Sequence, residues 1–180
     1  MENQILGLNA GAWLFPLAFF IASLAWVHYK KNLTHYFGKI PTLSRETALK
    51  IIQVFLLLFI FSIALDQIAS FFNLDDTQAV QSTISQLFQA PLVAVIFLMA
   101  FGALAEELFF RGIIFKELGK WPSILLFGFA HMGYGSIIEV TGALGAGIIL
   151  FYARERNKSI FPGFVAHALY NLTAIFLIGI

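Results

Sequence analysis

From Asn3 to Val27 the chain carries no Asp, Glu, Lys or Arg. A charge-free run of that length is enough to cross a bilayer, which takes about 20 helical residues. The pattern recurs in Ile51 to Phe72 (broken by Asp66), Pro91 to Ala105, Trp121 to Gly133, Ile137 to Ala153 (broken by Glu139) and Ser159 to Ile180. Only 12% of the 180 residues are charged, 59% are hydrophobic and the mean hydropathy is +0.84, whereas soluble domains carry about 25% charge. A water-soluble globule is excluded. The expected fold class is all-α: a single polytopic transmembrane helical bundle of about six spans, near residues 3–28, 50–72, 91–115, 121–133, 137–153 and 159–180. The first span lacks a basic leader and reads as a retained helix. The fourth is short, ~20 Å at 1.5 Å per residue, and 121–153 can be two full spans or a re-entrant segment plus one. Residues 75–89 are polar, with Val80, Ile84, Leu87 and Phe88 spaced for an amphipathic helix on the membrane surface. The small residues Gly142, Ala143, Ala146 and Gly147 suit close helix packing. There is no Cys, so disulfides, thiol nucleophiles and Cys-ligated metals are absent.

The placement of charge says more than its amount. The eleven basic residues fall between spans one and two (Lys30, Lys31, Lys39, Arg45, Lys50), at or after the end of span three (Arg111, Lys116, Lys120), and between spans five and six (Arg154, Arg156, Lys158). With alternating spans these positions share one side, which the positive-inside rule makes cytoplasmic, with both termini outside. Glu46, Glu117 and Glu155 join them; Glu2, Asp75 and Asp76 belong to the other side, and Asp66 and Glu139 are expected at that outer interface. Three charges remain inside apolar sequence: Glu106, Glu107 and Arg111.

Ionisable groups within spans are costly and mark functional sites by default. Glu106, His131 and His167 lie on three different spans at similar depth, roughly 10–15 Å from the basic side, as a shared buried site requires. Glu107 and Arg111 are i,i+4 and can pair on one helix face, which turns Glu106 about 100° away and leaves its carboxylate for chemistry. His167 and Asn171 are also i,i+4, and Phe127 stands one turn before His131, where it can limit the imidazole's rotamers. His28 and His35 sit among interfacial basic residues and carry no expected role. A free Glu beside a His is a general-base arrangement for activating water, and burial tunes a carboxylate toward that task. A second His with an amide at i+4 can donate to a developing oxyanion. These parts suit amide hydrolysis. Glu106, His131 and His167 could instead ligate Zn²⁺, leaving a fourth position for water, although no HExxH signature is present.

Glu106-Glu107-Leu-Phe-Phe110-Arg111 resembles the EExxFR motif of the CPBP family of intramembrane proteases (CAAX proteases and bacteriocin-processing enzymes, also called the ABI family). Phe127-Gly-Phe-Ala-His131 resembles that family's FxxxH motif, and His167-Ala-Leu-Tyr-Asn171 its HxxxN motif, in the family's order and confined to Glu106–Asn171. The resemblance implies a polytopic intramembrane endopeptidase of the cell membrane, acting on a membrane-embedded or lipidated, including prenylated, peptide, with no nucleic-acid partner. It implies that Glu106 and His131 activate water, that His167 and Asn171 stabilise the oxyanion, and that Glu107, Arg111 and Phe127 support the site. Metal-dependent and glutamate-dependent mechanisms are both consistent with it. Two other classes compete: a non-catalytic scaffold or immunity protein with the same architecture, and a small transporter, which the absence of an internal repeat disfavours.

Overall fold

A computed structural model describes residues 4–5, 8–9, 11–74 and 78–178. Glu2, Asp75 and Asp76, expected on the outer side, lie outside these residues. Two short strands, β1 (Gln4–Ile5) and β2 (Leu8–Asn9), pair antiparallel with Gln4 opposite Asn9. The helices are α1 (Gly11–Lys30), α2 (Leu33–Phe37), α3 (Arg45–Phe71), α4 (Gln78–Leu87), α5 (Leu92–Glu106), a π-helical segment (Glu107–Ile114), α6 (Phe115–Leu118), α7 (Lys120–Ala130), a 3-10 turn (His131–Tyr134), α8 (Ile137–Asn157) and α9 (Phe161–Ile178). Four of these helical stretches are long and apolar enough to cross a membrane: Ala12–Lys30, Arg45–Phe71, Leu92–Leu118 and Ile137–Asn157; α9 is apolar and slightly shorter. The chain is a multi-pass helical membrane protein.

Several boundaries differ from the sequence expectation. The first helix starts at Gly11 rather than Asn3, and Gln4–Ile5 and Leu8–Asn9 before it are held in strand pairing. α3 begins at Arg45, five residues before the expected 50, because Ser44 caps it: the Ser44 hydroxyl accepts the Thr47 N–H at 3.2 Å. α7 has only 11 residues, ~16 Å of rise, so it falls short of a span. The 3-10 turn His131–Tyr134 follows it and ends where Gly135 (φ 71°) enters the left-handed conformation that glycine tolerates. α8 runs on through Arg154 to Asn157, beyond the expected end at Ala153.

α7 and α8 form an antiparallel hairpin. Lys120 Nζ donates to the Tyr152 hydroxyl at 2.8 Å, Gly147 closes on Ile124 and Phe127, and Gly128 closes on Leu144. A hairpin returns the chain to the side it left, so both the loop before α7 and the loop after α8 share one end of the bundle. The α1–α2 loop joins them there: Ile160 N–H donates to Phe37 O at 3.0 Å, and Arg154 Nη2 to Tyr36 O at 2.9 Å. All three basic loops thus meet at one end. α3 packs against both α8 and α9 through Ile51, Val54, Leu58, Leu150, Ala153 and Ala166. The expected small-residue stripe on α8 is divided between neighbours. Gly142 meets Leu65 of α3, and Gly147 meets α7. α4 covers Gln78–Leu87 within the expected amphipathic stretch, and its Ile84 is buried. Asp66 is exposed near the far end of α3. Glu139 lies in the first turn of α8, where its N–H donates to the Ser136 hydroxyl at 2.9 Å, a capping arrangement.

Candidate active site

The site lies where α5 passes into the π-helical segment. Segments with i→i+5 bonding are rare in proteins and concentrate at functional positions. Here the Phe115 N–H donates to the carbonyl of Phe110, five residues back. The same carbonyl accepts the buried Ser123 hydroxyl at 2.9 Å from α7. Gly112 leaves room on this segment for the Phe37 ring, which a Cβ would meet at 2.8 Å. Both contacts pin the widened turn between the α2 loop and α7.

Glu107 and Arg111 face inward and are 0% and 1% exposed. Glu107 Oε1 lies 3.1 Å from Arg111 Nη1. The Arg111 guanidinium also stacks over the Phe127 ring at 3.9 Å, a cation–π contact that gains strength when desolvated. A carboxylate buried this fully is tolerable only when paired. Glu107 has a second neighbour, His167 Nδ1, at 3.4 Å from its Oε1.

Glu106 points the other way along the imidazole. Its Oε2 lies 3.7 Å from His167 Nε2, and its side chain keeps 21% exposure. Adjacent helical residues diverge by about 100°, and the His167 ring fills the angle, one nitrogen toward each carboxylate. α9 brings this ring in closely because its first turn contains Gly163; a Cβ there would lie 3.5 Å from Glu107 Oε2. Asn171 follows one turn after His167 and is half-buried.

His131 occupies the end of α7 with φ −90° and ψ −2°, in the sparsely populated bridge region common at active sites. Its Nδ1 lies 2.9 Å from the Phe127 carbonyl. A carbonyl only accepts, so Nδ1 carries a proton, and in the neutral imidazole Nε2 is the acceptor. The expected Phe127–His131 packing is present, with ring centroids 4.8 Å apart, and Phe127 also reaches His167 at 6.0 Å. Phe127 therefore sits between the two imidazoles and under Arg111. The imidazole brought against Glu106 is that of His167; among the described residues no ion pair joins Glu106 to His131. No group of three or more His, Asp or Glu placed to hold a metal ion occurs among the described residues.

Sequence reasoning did not find Ser123, Gly163 or Arg154. Arg154 was expected among the interfacial basic residues; it is instead 4% exposed, because the Tyr36 carbonyl takes up its guanidinium at the end of α8. A Pro-Gly pair at the start of a charge-free run (Pro162-Gly163) was the available signal for a close helix approach.

Fold and site together define the class: a multi-pass helical membrane protein with a buried carboxylate–imidazole cluster near mid-helix. Residues 88–173 match the family described as type II CAAX prenyl endopeptidase Rce1-like. This stretch, just under half of the chain, is similar to that family and contains all three motifs of the CPBP resemblance. No curated protein and no solved structure matches the chain.

Proposed function

We propose that the chain is an intramembrane endopeptidase that hydrolyses a peptide bond of a membrane-associated, prenylated substrate. The observation that carries this reading is the His167 ring lodged between Glu106 and Glu107 at 3.7 and 3.4 Å inside a helical membrane bundle. Glu106 keeps part of its side chain exposed beside the His167 ring, where a water can hydrogen-bond to the carboxylate. In the proposed reaction Glu106 takes a proton from this water as the water oxygen bonds to the scissile carbonyl carbon. His131 Nε2, left as an acceptor, assists that deprotonation. The carbonyl electron pair moves to oxygen, where His167 and Asn171 donate hydrogen bonds to the oxyanion. Glu106 then gives its proton to the leaving nitrogen as the C–N bond breaks, which yields a carboxylic acid and an amine. Glu107, Arg111 and Phe127 hold His167 and the π segment in place. The basic end of the bundle is proposed to face the cytoplasm of the cell membrane, with both termini outside.

The test is cleavage of a farnesylated CAAX peptide in proteoliposomes. Positioned acid–base groups contribute about 10²–10⁴-fold, and Glu106→Gln and His167→Ala are expected to lose at least that much while remaining folded. Full activity in Glu106→Gln would overturn the reading. A chelator is expected to leave the rate unchanged; loss on chelation with recovery on added Zn²⁺ would move water activation to a metal. A folded wild-type protein that cleaves no member of a membrane-peptide library would make the chain a non-catalytic scaffold.

A further inference from the structure

An open groove of about 530 Å³ lies between α3 and α8, away from the site. Its walls are apolar, with Val54, Leu57 and Ile60 on one side and Ile148 and Ile149 on the other. Its mouth is basic and polar, formed by Lys50, Arg156 and Asn157. From Lys50 to Ile60 the groove descends ~15 Å along α3, a depth suited to the upper part of an acyl chain. A second recess, of about 400 Å³, opens beside this mouth and shares Lys50 and Asn157 with it. It adds Lys39 and Lys158 and has no carboxylate in its lining.

Three features point to an occupant. First, charge is uncompensated: among the described residues Lys39, Arg156 and Lys158 make no ion pair, and Lys50 alone is paired, with the outward-facing Glu46 at 2.6 Å. Second, the recess is preformed. A Cβ at Gly38 would lie 2.1 Å from the Lys158 carbonyl oxygen, so the two loops are in backbone contact, and Lys158 itself is held at φ 53°. Third, Asn157 donates its Nδ2 to the Ala153 carbonyl at 2.8 Å, while its Oδ1 is buried without a hydrogen-bond partner. A buried acceptor of this kind calls for a donor.

We propose that groove and recess together bind one anionic glycerophospholipid: an acyl chain between α3 and α8, the phosphate among Lys39, Lys50, Arg156 and Lys158, and a headgroup hydroxyl donating to Asn157 Oδ1. The occupant is a resident lipid and not the protease substrate. The packed layer of Leu58, Leu150 and Ala166, each at most 1% exposed, closes the groove off from His167. Basic residues beside an anionic headgroup are the usual means by which membrane proteins select such lipids.

The experiment is native mass spectrometry of the full chain released from mixed micelles holding equimolar dioleoyl-phosphatidylglycerol and dioleoyl-phosphatidylcholine. The expected result is one retained phosphatidylglycerol per chain. Retention should fall by roughly fivefold for each cation removed, so Arg156→Gln/Lys158→Gln should show about a 25-fold loss. Should that double variant fail to fold, Lys39→Gln alone carries the test with a fivefold loss. Glu106→Gln should retain the lipid fully, which separates this proposal from the proteolytic one. Equal retention of phosphatidylcholine, unchanged retention in the folded variants, or displacement of phosphatidylglycerol by a farnesylated peptide would each overturn it.

Discussion

The first part of the chain and the second treat charge in opposite ways. In residues 11–74 every charged side chain lies at or near a helix end and none is buried: Lys30, Lys31, Lys39, Arg45, Glu46 and Asp66 are exposed, and Lys50 is partly so. In residues 92–171 Glu107, Arg111 and Arg154 are all under 5% exposed. Apolar surroundings do not forbid charge; they forbid charge without a partner. Glu107 has Arg111 and His167 around it, and Arg154 has the Tyr36 carbonyl. The first part is a wall and the second is a site, although both are written in similarly apolar sequence. Within the site the contrast is repeated in two adjacent residues. Glu107 is sealed, while Glu106 keeps access to the space in front of His167.

The sharpest test of that last contrast sets Glu106→Gln against Glu107→Leu. Glu106→Gln should remove cleavage by about 10²–10⁴-fold and leave the melting temperature nearly unchanged, because its carboxylate is partly exposed and its shape is kept. Glu107→Leu should remove cleavage and also destabilise the fold by about 3–5 kcal/mol, since Arg111 would be left buried and unpaired. Unfolding in detergent followed by circular dichroism reads the second effect. If both variants melted alike, the division of labour between the two carboxylates would fail.

The next largest effect comes from restoring balance without restoring charge. Glu107→Leu/Arg111→Met removes both members of the pair, and apolar replacement of a buried pair is often neutral or stabilising. The double variant should therefore recover most of the stability lost by Glu107→Leu and none of the activity. A double variant as unstable as the single would mean that His167, rather than Arg111, is the partner that Glu107 mainly serves.

Much of this architecture was legible in the chain. Charge-free runs located the long helices, and the i,i+4 spacing of Glu107 and Arg111 anticipated their contact. The features that escaped depend on tertiary partners. No periodicity announces that Glu107–Ile114 bonds i→i+5; that turn is held by Phe37 against Gly112 and by Ser123 from another helix. Arg154 reads as one more interfacial cation until the α2 loop docks over it. Glu106 meets His167 rather than His131 because Gly163 lets α9 approach and because α7 ends at His131 instead of carrying that residue through the membrane.

Ser123→Ala probes the π segment at a smaller scale. The Ser123 hydroxyl is 0% exposed and donates to the Phe110 carbonyl. Its loss should cost ~1 kcal/mol, the usual net worth of one such bond. Because the Phe110 carbonyl also receives the Phe115 N–H, the segment should persist with reduced activity. Thermal unfolding and cleavage rate measured on the same preparation distinguish this outcome from a collapse of the site, in which both would be lost together.

The smallest effect belongs to the basic end, where Tyr36 donates its hydroxyl to Glu117 and Trp26 Nε1 donates to the same carboxylate at 3.1 Å. The hydrogen bond to Glu117, with burial adding to it, raises the Tyr36 pKa above its ordinary value of 10.0. The protonated hydroxyl is thus the form the fold prefers. Its contribution is fully present below about pH 10 and is lost as the pH rises through the higher folded value. Melting temperature measured from about pH 8 to pH 11.5 should fall more steeply for the wild type than for Tyr36→Phe, which has no proton to lose, so the two curves should converge at the alkaline end. Parallel curves would mean that Trp26 and Lys30, the latter 3.9 Å from Glu117, hold that end without help from Tyr36.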